Sequence, residues 1–159
     1  WCIIIKEKDT NMKHLSALTR FWKKIGSRVT TMDSKKHDNI FSITSHLPHL
    51  IAYNLVKTAT DFEKQERYEL IKFSAGGLRD FSRIAASNEI MWRDIFFNNQ
   101  KNISKAIDLF INNLIAFKKD IQSSDSNSII RKLINTKKVR KQIIKLKQDT
   151  NKPDFGRNN

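Results

Sequence analysis

The stretch Ile103-Ser104-Lys105-Ala106-Ile107-Asp108-Leu109-Phe110-Ile111-Asn112-Asn113-Leu114-Ile115-Ala116-Phe117-Lys118-Lys119-Asp120-Ile121 decides the class of fold. Its apolar positions Ile103, Ile107, Phe110, Leu114, Phe117 and Ile121 are spaced by 4, 3, 4, 3 and 4 residues. That is the period of one helix face, sustained for about five turns. Leu109, Ile111 and Ile115 widen the stripe, so the helix is expected to be central, with some of its surface covered by a second copy of the chain. Only 4 glycines and 2 prolines occur in 159 residues, too few for the many tight turns of an all-β fold. A mainly α fold of ordinary domain size follows.

On the C-terminal side, Ser123-Ser124-Asp125-Ser126 reads as a turn into a last helix carrying Ile129, Ile130, Leu133, Val139, Ile143 and Leu146. The polar tail from Asp149 to Asn159 is expected to be irregular. On the N-terminal side, Ser87 or Asn88 should start a short helix through Trp92, Ile95 and Phe96. Before it, Asp61 is expected to cap a helix with Phe62, Tyr68, Leu70 and Ile71, ending in Ser74-Ala75-Gly76-Gly77. Asp33 or Ser34 opens a longer pattern through Ile40, Phe41, Ile43, Leu47, Leu50, Ile51 and Leu55. Pro48 should kink or restart that helix, because proline lacks an N–H and collides with the carbonyl one turn back.

The first thirty residues read differently. Cys2 to Ile5 is a β-branched run expected to be a buried strand. Asp9 or Thr10 can cap a helix holding Leu15, Leu18, Phe21, Trp22 and Ile25, with Gly26 as its stop, and Arg28 to Met32 is extended again. Strand, helix, strand is the closing unit of an α/β domain, here with no sheet to join. A first residue of Trp rather than Met is read as a truncation or cleavage point.

The net charge of +14 is unevenly placed: no acid lies between Asp125 and Asp149, whereas Arg131, Lys132, Lys137, Lys138, Arg140, Lys141, Lys145 and Lys147 do. The run reads either as a phosphate-binding helix or as a solvated face; no aromatics interleave with its cations. Cys2 is the single cysteine, which excludes an intrachain disulfide and points to a reducing compartment. No apolar run approaches the roughly 20 residues of a membrane span.

Three of the four histidines, His37, His46 and His49, lie within a short stretch. A zinc site would need an H-E-x-x-H or CxxC that is not there. His46 and His49 either satisfy buried helix contacts through one ring nitrogen each or form a polar cluster facing a cleft. Gly76-Gly77-Leu78-Arg79-Asp80-Phe81-Ser82-Arg83-Ile84-Ala85 is the second unusual stretch. Its arginines can pair with Asp80 and solvent, or one can fork onto a substrate carboxylate. The glycines give neither G-x-G-x-x-G nor a P-loop, so no dinucleotide cradle is expected in this chain.

Taken together, Met32…His37-Asp38…Ser45-His46-Leu47-Pro48-His49, the Gly76–Ala85 run and Met91-Trp92-Arg93-Asp94 resemble the prephenate/arogenate (cyclohexadienyl) dehydrogenase family. So do the opening strand, helix and strand, and the ending Gln148-Asp149-Thr150…Pro153-Asp154-Phe155-Gly156-Arg157. The resemblance implies a helical substrate and dimerisation domain over 33–148, preceded by the end of an α/β nucleotide-binding domain over 1–32 and followed by the tail 149–159. Family members use NAD or NADP to oxidise and decarboxylate prephenate or arogenate in tyrosine biosynthesis. Hydride leaves ring carbon 4 for the nicotinamide, and the protein mainly positions the partners.

By the same resemblance, the histidine that polarises the substrate hydroxyl lies upstream, so no residue of this chain is catalytic. Arg83 is the expected partner of a substrate carboxylate. His49 and Ser45 would form a polar network beside the substrate, Asp80 would orient Arg83 or its neighbours, Gly76 would bring backbone close, and Trp92 would wall the pocket. Leu78 and Ser82 stand where the family often has Phe and Thr. A cytoplasmic homodimer follows, with no metal and with neither nucleic acid nor membrane as partner. The competing readings are a basic nucleic-acid-binding module, built on the run from Arg131 to Lys147, and a stand-alone dimerisation module.

Overall fold

The computed structural model describes residues 1–67 and 69–148, so Tyr68 and the tail expected to be irregular lie outside the described residues. The fold is mainly α, with one strand–helix–strand unit at its start. Strands β1 (Cys2–Ile5) and β2 (Val29–Met32) run parallel with Cys2 opposite Val29 and Ile5 opposite Met32. The strands expected to have no sheet to join therefore pair with each other, because the crossover through α1 (Met12–Lys24) returns the chain in the same direction. β1 is half-buried rather than buried, since a two-stranded sheet cannot cover both of its faces.

The cap of α1 is Asn11, whose Oδ1 accepts from the amides of Lys13 (2.9 Å) and His14 (3.2 Å). Thr10, expected in that role, accepts the Glu7 amide at 2.8 Å and closes the preceding turn instead. Gly26 does end the helix, at φ +91°, a conformation that an L side chain would strain.

Asp33 caps α2 (Ser34–Phe41) by accepting the Lys36 amide at 2.8 Å. A π-helical turn, Ser42–His46, then leads into α3 (Leu47–Glu66). The disturbance expected at Pro48 is this widened turn, in which the Leu47 amide reaches back to the Ser42 carbonyl. Asp61 starts no helix. It lies inside α3 and pairs with Lys57 at 2.6 Å, because no glycine or proline between Leu55 and Glu66 interrupts the helix. The chain leaves α3 at Arg67 in a left-handed conformation, and only a short 3₁₀ turn, Ile71–Phe73, follows.

Gly76 and Gly77 open α4 (Gly76–Ile84) rather than closing a helix. Ala75 before them is extended, and a first-turn position tolerates glycine because its amide has no intrahelical partner to lose. Asn88 caps α5 (Glu89–Asn98) through the Met91 amide at 2.8 Å. Two long helices follow, α6 (Gln100–Gln122) and α7 (Ser126–Lys145), the latter capped by Asp125. No described helix is long and apolar enough to cross a membrane.

The chain divides into two compact units, Trp1–Asp108 and Leu109–Asn159. The first holds every buried apolar side chain among the described residues: Leu15, Leu47, Ala52, Trp92, Ile103 and Ala106. In the second, none of the described residues is buried. The expectation that the 103–121 helix is central is thus corrected. Its fully buried residues, Ile103 and Ala106, lie in its first two turns, whereas Leu109, Leu114, Ile115 and Ile121 are all more than half exposed. Periodicity reports that a face is to be covered, without saying by what.

Within the second unit, α6 and α7 are clasped by a polar contact. Asp120 accepts from Lys132 Nζ at 2.6 Å and from Ser128 Oγ at 2.7 Å, and the same ammonium lies 4.9 Å from the Phe117 ring centre. Hydrogen bonds from Lys132 and Ser128 hold the Asp120 carboxyl below its usual range. One cation of the basic run therefore has a structural task.

Candidate substrate site

The π turn and the start of α3 bring the histidines against α5. The widened turn carries Ser45 and His46, and His49 follows one turn later in α3. His49 stacks on Trp92 with ring centres 3.8 Å apart and planes at 23°, and His46 meets the same indole edge-on at 6.2 Å. Phe96, one turn along α5, lies 5.5 Å from Trp92. Trp92 is 5% exposed, and its indole N–H is buried with no hydrogen-bond partner among the described residues.

Hydrogen bonds fix both imidazoles. His49 Nδ1 lies 2.9 Å from the Ser45 carbonyl, which can only accept, so this nitrogen carries the proton. His46 Nδ1 lies 3.2 Å from Asn99 Nδ2. Burial lowers the His46 pKa below the ordinary 6.5; Asp38 raises it and His37 and His49 lower it further, so burial prevails. His37 itself contacts the Asp38 carboxylate at 3.0 Å and stacks on Phe41 at 4.4 Å. Each of His46 and His49 uses one ring nitrogen for a helix contact, as one sequence reading held. The Nε2 atoms have no hydrogen-bond partner among the described residues, so each ring keeps a free polar edge.

Three of the expected residues, Ser45, His49 and Trp92, therefore meet in one cluster, joined by His46. Arg83, Asp80 and Gly76 share α4, which packs against α3. Tyr53 of α3 donates to the Ser87 carbonyl at 3.0 Å, tying α3 to the turn between α4 and α5. The expected orientation of Arg83 by Asp80 is not formed: Asp80 is half-buried, Arg83 is exposed, and no ion pair joins them. The alternative in which Asp80 neutralises Arg79 or Arg83 fails with it, and both guanidiniums lack a partner among the described residues. A side chain added at Gly76 or Gly77 would meet nothing within 4 Å. A concavity of about 800 Å³ lies alongside, lined by Arg67, Glu69, Leu70, Phe73, Ser74, Ala75, Gly77 and Leu78. It contains neither His49 nor Arg83.

Asn99 is a member of the cluster that the sequence reading does not single out. It is 7% exposed, and its amide donates to the Asp38 carbonyl at 2.7 Å while its oxygen accepts from Asn102 at 2.8 Å. The available signal is the amide run Asn98-Asn99-Gln100 between two apolar helices. A polar break alone does not say which of its amides turns inward.

Comparison with known proteins gives this arrangement its context. The family described as prephenate dehydrogenase, dimerization domain, matches residues 33–148. Cyclohexadienyl dehydrogenase of Zymomonas mobilis is 32% identical over 138 residues, covering 87% of this chain and 47% of that protein. Prephenate dehydrogenase of Bacillus subtilis is 30% identical over 81% of this chain and 34% of its own length. The chain thus spans about half or less of the curated relatives it matches. The crystal structure of prephenate dehydrogenase from A. aeolicus with hydroxyphenyl propionate and NAD+ superposes with a TM-score of 0.83 at 38% identity, over 89% of this chain and 49% of that one. Synechocystis arogenate dehydrogenase shares the fold, with a TM-score of 0.75 at 19% identity. With the family's dimerization domain matched from residue 33 to residue 148, this chain belongs to the prephenate dehydrogenase family.

Proposed function

We propose that this chain is the helical, substrate-side part of a cytoplasmic, homodimeric dehydrogenase that oxidatively decarboxylates prephenate or arogenate with NAD or NADP. Residues 33–148 form its substrate and dimerisation domain, and residues 1–32 are the end of its nucleotide-binding domain. The observation that carries the reading is the meeting of Ser45, His49 and Trp92 in one cluster within the matched family domain. Relatives of about twice this length that are named as prephenate and cyclohexadienyl dehydrogenases support it, as does a related structure holding hydroxyphenyl propionate and NAD+.

The residues present do not fit the dinucleotide. The turn after β1 runs Lys6-Glu7-Lys8-Asp9-Thr10-Asn11 without a glycine. The cofactor accordingly belongs to the nucleotide-binding part of the whole enzyme. What this chain contributes is recognition of the substrate. The free guanidinium of Arg83 suits a carboxylate, which it can grip through two parallel N–H donors. The His49 imidazole carries a proton on Nδ1, so in its neutral form Nε2 is an acceptor, and the aromatic face of Trp92 supports the His49 ring. The exposed apolar faces of α6 and α7 are where a second copy of the chain binds, closing a two-fold dimer.

The test joins this chain to its nucleotide-binding half and follows reduced nicotinamide with prephenate and with arogenate. Turnover by the wild type, and loss of about 30-fold or more in kcat/KM for a folded Arg83→Ala, is the expected result. Turnover unaffected by Arg83→Ala would remove the carboxylate role and leave the family function standing. Silence with both substrates on both cofactors refutes the dehydrogenase reading.

A further inference from the structure

The contacts of Asn99 decide more than packing. The Asp38 backbone carbonyl can only accept a hydrogen bond, so the Asn99 atom facing it at 2.7 Å must be the amide nitrogen. The Asn99 oxygen, on the other branch, receives the Asn102 amide at 2.8 Å, in agreement with that orientation. Asn99 Nδ2 has two hydrogens. One goes to Asp38, and the other is directed at His46 Nδ1, 3.2 Å away. His46 Nδ1 must then be an acceptor, which places the imidazole proton on Nε2 and leaves the ring neutral. A protonated His46 would present N–H against N–H.

We propose that Asn99 is a positioning residue of the site, holding His46 as the neutral Nε2–H tautomer so that it serves as a fixed hydrogen-bond donor to an oxygen of the substrate, a carboxylate or a carbonyl. The role toward substrate rests on the dehydrogenase reading above; the tautomer does not. His49 carries its proton on Nδ1, facing the Ser45 carbonyl, so with both rings neutral two histidines on successive turns offer one donor and one acceptor. A site that holds one oxygen-bearing and one hydrogen-bearing group of the same ligand needs that complementarity, and two unconstrained imidazoles would not keep it. The charged or titratable groups around His46 are Asp38 and His37 on α2 and His49 on α3. From α5 and its junction with α6 it meets, among the described residues, the neutral Trp92 and Asn99.

The first measurement is nitrogen-detected histidine NMR on the whole 159-residue chain, which needs no variant. His46 protonated on Nε2 and His49 on Nδ1 is the expected pattern; His46 protonated on Nδ1 at neutral pH overturns the proposal. Asn99→Ala should release the His46 tautomer while leaving that of His49 unchanged, and a fixed His46 tautomer in that variant would also overturn it. In the enzyme joined to its nucleotide-binding half, Asn99→Ala should raise KM by ~3- to 10-fold with kcat within about twofold. A KM unchanged beside a released tautomer refutes the role toward substrate. Absence of wild-type turnover with the expected tautomers refutes the dehydrogenase reading, and with it that role, while the Asn99–His46 geometry stands.

Discussion

Trp92 and Leu114 are both large apolar residues on helices with apolar stripes, yet Trp92 is 5% exposed and Leu114 51%. The difference separates two ways in which this chain uses hydrophobic surface. Around Trp92 the cover is internal: the His46 and His49 rings and Phe96 close over it, and the polar Asn99 beside it is buried with its partners. From Leu109 onward the stripe continues without internal cover, and α7 adds Leu133, Ile134 and Val139 to the same kind of open surface. Exposed apolar surface of that extent is the kind that marks an interaction surface, and the matched family is described as a dimerization domain. The first region covers its apolar residues within the chain; on the proposed function, the second is covered by a second copy.

Paired truncations break this comparison most directly. Trp92→Ala is expected to destabilise the chain by about 3–5 kcal/mol, independent of protein concentration, in chemical denaturation. Leu114→Ala is expected to cost about 1.5–3 kcal/mol, and only where the dimer forms, read as a weaker self-association in light scattering across a dilution series. If Leu114→Ala behaved like Trp92→Ala at every concentration, the distinction between internal and intermolecular cover would be lost.

Acid sharpens the contrast. Burial lowers the His46 pKa below 6.5. Between the folded and unfolded values the unfolded chain binds more protons, so the stability present above pH 6.5 is lost as pH falls through the folded value. Denaturation midpoints from pH 8 to about 5 should show this loss, and His46→Gln should flatten it. A wild-type profile flat across that range would mean that His46 charges freely in the fold.

The smallest effect is expected in the second unit, at the clasp between α6 and α7. The Asp120 carboxyl is held low by Lys132 and Ser128. Its contribution is therefore present above the ordinary value of 3.8 and disappears as pH falls through the folded value. Asp120→Asn should lower stability slightly at neutral pH and remove that acid-range loss, as followed by helix content against pH. An unchanged acid profile would show that the clasp contributes nothing.

Much of this was legible before any coordinates. Asp33, Asn88 and Asp125 lie before apolar periodic runs, and each caps its helix because a short polar side chain there satisfies an otherwise unpaired amide. Asp61 and the Gly76-Gly77 pair carry the same local signals, and there the reading failed. A capping residue matters only where the helix is already interrupted, and a glycine pair can begin a helix as readily as end one. Ser45, His49 and Trp92 were marked by resemblance; the structure stacks His49 on Trp92 and brings the Ser45 backbone carbonyl to His49. Asn99 was not marked, because nothing in an Asn-Asn-Gln run distinguishes the amide that turns inward.

The sequence by itself determined the helical class, the strand–helix–strand opening and the apolar stripe from Ile103 to Ile121, because each depends on spacing and local hydrogen-bonding chemistry. Only the tertiary structure decided which part of that stripe is covered within the chain, that Asp80 does not hold Arg83, and which nitrogen of each histidine carries the proton. These depend on groups distant along the chain, such as Asp38 and Asn99, meeting in space. A one-dimensional pattern specifies that a face or a polar atom requires a partner, and the packing of helices supplies its identity.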